Sequence, residues 1–227
     1  LASPERGELV AKARRLAEAK RGSTARALRA AVDLFQHSLP IRGRPPLMRV
    51  LLWPLAKLWE AGLNFDRWRK LRHQKRLSTP VVSIGGVNIG GTGKTPLVGW
   101  LAQELAERGL PTAVLTRGYR RTSPERNTIL PRGAACCTAR TGDEAQILLR
   151  TGKTAMGIGA DRYVSGRLLE EQEKPAVFLL DDGLQHWKLA RDVELVAVDA
   201  LDPGGGGSVV PLGRLREPLS GLSRASA

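Results

Sequence analysis

Short apolar runs alternate with amphipathic segments along the chain from residue 80 onward. Apolar strands that are separated by helices are typical of a parallel sheet covered on both faces. The pattern therefore predicts an α/β fold with a mainly parallel sheet and helices on both of its faces. The predicted strands span residues 81–84, 112–116, 176–181 and 193–199, and the predicted helices span residues 95–108, 144–150 and 161–172.

An amphipathic helix is predicted ahead of this sheet, over residues 47–63. On a helical wheel, Arg49, Lys57 and Glu60 fall within one arc of about 80°, and apolar side chains cover the remainder. The two tryptophans of the segment suit the headgroup level of a membrane, and the basic residues at 67–76 would attract anionic lipid. The pattern alone leaves two interpretations open, a helix in a membrane interface and a helix packed on the protein's own core.

Basic residues are concentrated near the N-terminal end of the chain. The formal net charge is +14, and residues 1–79 hold 18 Lys+Arg against 6 Asp+Glu, whereas residues 80–227 hold 18 against 16. Because the predicted α/β part is nearly neutral, we do not expect nucleic acid as a partner. Residues 1–46 form a basic extension that is either an organelle-targeting segment, for a mitochondrion or plastid, or a solvated helical extension.

The sequence Gly-Gly-Thr-Gly-Lys-Thr stands between a predicted strand and a predicted helix. This is the setting of a phosphate-binding P-loop, in which glycines let backbone N–H groups converge on phosphate oxygens and the helix N-terminus adds its positive dipole end. The lysine would reach the β- and γ-phosphates of ATP, and the threonine hydroxyl would bind Mg²⁺. The usual motif begins with glycine where this chain has Asn88. The predicted nucleotide-binding residues are Gly90, Gly91, Thr92, Gly93, Lys94 and Thr95.

Two acidic residues, Asp181 and Asp182, follow an apolar strand and would lie at the carboxyl edge of the sheet. In P-loop proteins an acid at this edge helps to organise Mg²⁺. An acid at a strand end is often merely solvated, so the assignment depends on the P-loop in the same chain.

A third set of candidates opens predicted helices, with Asp143 and Glu144 before one and Arg162 at the start of another. A carboxylate at a helix start is more often an N-cap than a catalytic group. However, the loops that follow parallel strands emerge on one side of the sheet, here the side of the P-loop. This placement favours a functional role for these residues.

Taken together, these motifs resemble the tetraacyldisaccharide 4'-kinase (lipid A 4'-kinase) family. The resemblance runs from about residue 47 to residue 222, and its most specific element is Asp-Asp-Gly-Leu-Gln-His after an apolar strand. The matching stretches are residues 80–85, 90–96, 116–119, 142–144, 181–186, 190–192 and 215–219.

The resemblance implies transfer of the γ-phosphoryl group of ATP to the 4'-hydroxyl of a lipid-linked glucosamine disaccharide, with Mg²⁺ as cofactor. It assigns Asp143 as the base for the acceptor hydroxyl, with Lys94, Arg162 and His186 as further catalytic residues. Arg216 and Glu217 would line the nucleotide site. The Mg²⁺ ligands implied are Thr95, Glu144, Asp181 and Asp182.

The resemblance also implies a peripheral protein at the cytoplasmic face of an inner membrane, with residues 47–79 as the membrane-contacting part. We expect the protein to be a monomer. Residues 80–227 would form the kinase core. Family members continue beyond the point that matches residue 227 and carry an Asp-His-His segment in a second lobe, so we expect this chain to lack the C-terminal lobe. The glycine run at residues 204–207 also differs from the family's more varied loop.

Two alternatives to a kinase remain at this point. One is a nucleotide-dependent switch or assembly NTPase, although the chain lacks the Asn/Thr-Lys-x-Asp guanine-reading motif. The other is a truncated protein that binds ATP without turnover.

Overall fold

The structure, a computed structural model, describes residues 46–119, 121–122, 125–135, 137–149, 152, 154–200 and 202–227. The basic extension predicted at residues 1–46 lies, apart from Pro46, outside the described residues. The strands are β1 (Val81–Gly85), β2 (Thr112–Thr116), β3 (Asn127–Leu130), β4 (Ala155–Gly159), β5 (Val177–Asp181) and β6 (Val193–Val196). The α-helices are α1 (Pro46–Leu71), α2 (Lys94–Glu107), α3 (Thr138–Thr141), α4 (Asp143–Leu149) and α5 (Arg162–Gln172), and the 3₁₀ turns are Gly205–Gly207 and Leu219–Arg224.

The six strands form one sheet in the order β3-β4-β2-β5-β1-β6. Five of them pair in parallel, and β3 runs antiparallel to β4 at one edge. The register between β1 and β5 places Asp181 beside Ile84, immediately before the loop that leads to α2. Because parallel strands end at the same edge, the P-loop and the two acids at the end of β5 meet there.

Helices cover both faces of the sheet, and alternate residues of β5 show how. Phe178 and Leu180 pack in one cluster with Leu169 of α5. Leu179 points to the opposite face and packs in a second cluster with Val98 of α2. The predicted mainly parallel α/β sheet with helices on both faces is therefore confirmed.

Two strands were missed in the sequence. β4 contains two glycines in five residues, which weaken the strand pattern, yet all five positions are buried. A Cβ on Gly157 would lie 2.8 Å from Ser165 Cβ and 2.9 Å from Leu115 Cδ2, so this glycine allows α5 to approach the sheet. β3 joins the sheet through its antiparallel pairing with β4. The strand predicted at 193–199 is shorter than expected and ends at Val196.

Helix α1 is longer than the predicted 47–63 segment, and it lies on the surface of the protein. Most of its large apolar side chains are exposed, including Leu47 at 81% and Leu51 at 73%. It meets the rest of the protein along a narrow strip, where Ala56 is buried in a cluster with residues of the sheet and of later loops. Trp59 adds a hydrogen bond from Nε1 to the Arg216 carbonyl oxygen at 2.8 Å. Among the helices of the described residues, none is long and apolar enough to cross a bilayer.

Candidate nucleotide and phosphoryl-transfer site

The P-loop connects β1 to α2, as the sequence predicted. Gly90 and Gly93 have φ angles of 128° and 73°, which side-chain-bearing residues rarely adopt. Gly93 is also the N-cap residue of α2, and its carbonyl oxygen accepts a hydrogen bond from the Leu97 N–H at 3.1 Å. The glycines therefore turn the chain sharply into the start of a helix, the place where backbone N–H groups bind phosphate.

Lys94 extends along this loop and is only 9% exposed. Its ammonium donates to Thr92 Oγ1 at 3.2 Å and lies 3.5 Å from the Gly90 carbonyl oxygen. It also lies 3.7 Å from a carboxylate oxygen of Asp182. The structure thus brings the predicted P-loop lysine and one of the predicted metal-binding acids together.

Asp181 is buried at the end of β5, at 3% exposure. Its Oδ2 accepts a hydrogen bond from Thr116 Oγ1 at 3.4 Å, and its Oδ1 has no hydrogen-bond partner. Burial, with the neighbouring negative charges of Asp182 and Glu144, raises the pKa of Asp181 to about 6. A cation at this position would stabilise the ionised carboxylate and satisfy the unpartnered oxygen.

The carboxylates of Asp181 and Asp182 suit Mg²⁺ better than a metal ion that needs all of its ligands from the protein. Within the part of the chain that the structure describes, no three or more His, Cys, Asp and Glu side chains group closely enough to hold a metal ion. Mg²⁺ usually needs only one or two carboxylates, because phosphates and water supply its remaining ligands. Asp181 and Asp182 therefore fit a Mg²⁺ ion that arrives with a nucleotide.

Asp182 is held by Arg216 as well as by Lys94. The Arg216 Nη1 donates to both Asp182 carboxylate oxygens, at 2.9 and 2.7 Å. The backbone of Asp182 has a φ of 51°, an uncommon value that Asp tolerates better than most residues. Two cations thus share one carboxylate at the carboxyl edge of the sheet.

Asp143 and Glu144 are exposed in the first turn of α4. The preceding Gly142 has a φ of 80°, and a Cβ there would overlap the Tyr119 carbonyl oxygen. This glycine therefore brings the loop after β2 against the start of α4. Glu144 lies close enough to Asp181 to contribute to the rise in its pKa.

Arg162 is buried at the start of α5, and His186 is half-buried in the segment that follows β5, with its Nε2 inaccessible and without a hydrogen-bond partner. Burial and the nearby Arg117 lower the pKa of Arg162 to about 10, and its Nε has no hydrogen-bond partner. Burial, followed by the positive charges of Arg162 and Arg191, lowers the pKa of His186 to about 3. His186 is therefore neutral at physiological pH, and any role it has in the reaction uses the neutral imidazole.

A sequence model of the family described as LpxK: Tetraacyldisaccharide-1-P 4'-kinase matches residues 48–227. The chain belongs to the tetraacyldisaccharide 4'-kinase family. A relative from Dechloromonas aromatica with that name is 42% identical over 187 residues, which cover 82% of this chain and 54% of the relative. One from Syntrophobacter fumaroxidans is 40% identical over 206 residues, covering 89% of this chain and 54% of the relative.

A solved structure of a 4'-kinase family member also resembles this chain. It is described as an "apo" form of LpxK from Aquifex aeolicus in complex with ATP, and it matches with a TM-score of 0.70 and 34% sequence identity. The match covers 78% of this chain and 57% of that chain. The chain thus spans about half the length of the curated relatives it matches. These relatives favour a kinase over a switch NTPase.

Two polar residues of this 4'-kinase family chain, Thr116 and Gln185, were not predicted as site residues, although both lie in stretches that match the family. Thr116 ends β2 and donates to Asp181. Gln185 donates to Glu217 at 2.7 Å and to the Gly86 carbonyl oxygen at 3.2 Å, so it links the start of the P-loop to the 215–219 segment. The position of Thr116 at a strand end was a usable signal, because side chains there face the site.

Glu217 was predicted to line the nucleotide site, and the structure gives its carboxylate two protein partners. One oxygen accepts from Gln185, and the other accepts from Arg224 Nη2 at 2.7 Å. Glu217 is itself buried. In the structure it therefore supports the residues around the P-loop, and direct contact with a nucleotide stays a prediction.

Proposed function

We propose that this chain is the ATP-binding part of a kinase that transfers the γ-phosphoryl group of ATP to the 4'-hydroxyl of a tetraacyl glucosamine disaccharide. The observation that carries the proposal is the convergence of Lys94 and Arg216 on Asp182, beside the buried carboxylate of Asp181. Phosphoryl transfer requires mainly positioning and neutralisation of negative charge. Two cations and two acids at the mouth of a P-loop supply both.

Bound Mg²⁺ would neutralise phosphate charge, and Thr95, Glu144, Asp181 and Asp182 are the residues proposed to hold it. Thr95 follows the P-loop lysine, and Glu144 is close to Asp181. In the absence of the metal, burial of Asp181, together with the negative charges of Asp182 and Glu144, favours its protonation by raising its pKa. Ionisation of Asp181 is therefore coupled to metal binding.

Asp143 is proposed as the base that orients and deprotonates the acceptor hydroxyl. It is exposed, so an acceptor can reach it, and its neighbour Glu144 lies near the acids of β5. Unlike Asp182, Asp143 is not assigned to Mg-ATP. Arg162 and the neutral His186 are proposed to support the site from the side of α5.

The lipid part of the acceptor is proposed to meet α1 at a membrane surface, to which the protein binds peripherally. The exposed apolar residues of α1 are available to an interface, and basic side chains follow them at its C-terminal end. A groove of about 550 Å³ lies between α1 and the 210–211 segment, and its lining is almost wholly apolar. Trp59 lines this groove and also contacts the Arg216 backbone, so the apolar surface adjoins the phosphoryl-transfer site.

The test is phosphate transfer from labelled ATP to a tetraacyl disaccharide acceptor. Because the chain spans about half of its relatives, the assay uses residues 47–227 joined to the C-terminal half of a relative as well as the chain itself. Asp143→Asn should lower the transfer rate by about 10² to 10⁴, the usual contribution of a general base. The dissociation constant for Mg-ATP should stay nearly constant. Equal losses of binding and transfer would move Asp143 into the nucleotide site, and a variant with the parental rate would remove its catalytic role.

A further inference from the structure

Arg214 lies against the first glycine of the P-loop. A Cβ on Gly90 would lie 3.4 Å from Arg214 Nη2, and Gly90 is also the residue whose carbonyl oxygen faces the Lys94 ammonium. The cationic side chains of Arg214 and Lys94 therefore both lie close to the backbone of Gly90. Arg214 has no part in the mechanism described so far.

The backbone of Arg214 is fixed between the P-loop and the glycine run. Its carbonyl oxygen accepts a hydrogen bond from the Ile89 N–H at 2.7 Å, and its own N–H donates to the Gly205 carbonyl oxygen at 2.7 Å. Asn88 and Leu215 form an antiparallel bridge beside this contact. Residues 214 and 215 therefore pair with residues 88 and 89 at the start of the P-loop.

Asn88 and the glycine run at residues 204–207 both differ from the expected motifs. Their hydrogen bonds hold this segment in place. The Asn88 side-chain amide donates to the Asp202 carbonyl oxygen at 2.9 Å. The Asp202 carboxylate is buried, accepts from the Gly206 N–H at 3.1 Å, and has one oxygen without a hydrogen-bond partner. That oxygen lies 3.7 Å from Arg214 Nη1.

This ion pair orients Arg214 without using up its donors. A separation of 3.7 Å exceeds the 2.7–2.9 Å of a charge-assisted hydrogen bond. The Arg214 side chain is 44% exposed, so a ligand in the P-loop can reach it. A guanidinium presents planar donors that match two phosphate oxygens at once.

We propose that Arg214 is a phosphate-binding residue of the nucleotide site, and that Asp202 and Asn88 position it beside Gly90. The ligand class is the phosphate chain of a nucleoside triphosphate, so the inference rests on the proposed ATP-dependent function. Its guanidinium adds a third cation to Lys94 and Arg216 at the P-loop. The rival explanation is that Arg214 only stabilises its own loop through Asp202.

Calorimetric titration of the 227-residue chain with Mg-ATP separates these explanations. Arg214→Ala should weaken binding about tenfold or more, the usual effect of losing charge-assisted hydrogen bonds. Arg214→Lys keeps the charge and the attraction to Asp202 but loses the planar donors, and it should weaken binding about threefold. The matched control is Arg108→Ala at the opposite end of α2. This variant removes an exposed arginine that forms an ion pair with Glu104, and it should leave the affinity unchanged.

Thermal melting without nucleotide checks the rival explanation. The proposal is supported if Arg214→Ala loses affinity while its melting temperature stays at the parental value. If that variant does not fold, Arg214→Gln, which removes the charge and keeps a long polar side chain, decides, and parental affinity in the glutamine variant overturns the proposal. Lys94→Ala is titrated in parallel. Loss of binding in Lys94→Ala with parental binding in Arg214→Ala overturns the role of Arg214 alone, whereas parental binding in both overturns the proposed ATP site as well.

Discussion

The P-loop edge of the sheet buries charged side chains, whereas helix α1 exposes apolar side chains, and both patterns are unusual in a folded protein. At the sheet edge, charged groups such as Lys94 and Asp181 are buried. On α1, large apolar side chains such as Leu47 and Leu51 are exposed. Burying a charge costs free energy unless it is paired, and a contiguous exposed apolar surface costs free energy in water. These departures support the proposal that each region binds a partner.

The chemistry of each region differs, and so does the partner it indicates. The sheet edge has a high density of opposite charges and an unpartnered carboxylate oxygen, which match a metal-bound polyphosphate. Helix α1 has apolar side chains and basic residues at its end, which match a lipid surface. Trp59 connects the two through the Arg216 backbone, although the two sites are proposed to bind different partners.

The largest expected effect lies at the sheet edge. Lys94→Ala removes the buried ammonium next to Gly90 and Asp182, and it should weaken Mg-ATP binding by about 10² or more, since losing a partner of a buried charge typically costs about 3–5 kcal/mol. Calorimetry measures the dissociation constant. Lys57→Ala is the control, because it removes a more exposed lysine on α1. Parental affinity in Lys94→Ala would contradict the P-loop assignment.

A smaller effect is expected on α1. Leu47→Glu combined with Leu51→Glu should lower binding to anionic vesicles at least about tenfold, because burial of one leucine contributes about 1.5–3 kcal/mol. Both residues are exposed, so the fold should persist. Vesicle co-sedimentation at low and high salt measures the effect, and the basic contribution should weaken as salt screens it.

The matched control for α1 is Trp100→Glu combined with Leu110→Glu, which changes two exposed apolar residues outside α1. It should bind vesicles as the parent does. If both double variants lose binding equally, the effect follows added negative charge in general, and α1 has no special role at the membrane.

The smallest effect concerns Asp181 and pH. Its pKa in the folded protein is raised from its usual 3.8 to about 6, mainly by burial. The folded state then holds more protons than the unfolded state between these values, so this residue lowers stability as pH rises from about 4 to 6. Asp181→Asn should therefore stabilise the metal-free protein at pH 7–8, on the order of 1–2 kcal/mol, and should have little such effect at pH 4.

Denaturant unfolding of the parent and of Asp181→Asn at several pH values, with chelator present, measures this difference. A variant that is less stable than the parent at pH 8 would show that the carboxylate is stabilised in the folded protein without metal. The same Asn substitution should weaken Mg-ATP binding, because it removes a proposed metal ligand.

Most strands and helices of the α/β part could be predicted because the spacing of apolar and polar residues within each element indicates its type. β2 and β5 are largely apolar runs, and the P-loop is a contiguous motif in which Gly90 and Gly93 adopt positive φ angles that favour glycine. β4 was missed because two of its five residues are glycines, which weaken the strand pattern, and because part of its burial comes from residues such as Leu115 of β2, which is distant in sequence. The full length of α1 was missed because residues beyond 63 are more polar and are supported by side-chain pairs such as Lys70 with Asp66.

By itself, the sequence determined the α/β class, the P-loop, the two acids at the end of β5 and the family to which the chain belongs, because these depend on patterns that are local in the sequence. Only the tertiary structure decided that Arg216 and Lys94 share Asp182, that Gln185 links Gly86 to Glu217, and that α1 leaves its apolar side chains exposed. These contacts join residues that are far apart in sequence. The order of strands and the packing of loops around them, which no local pattern records, bring such residues together.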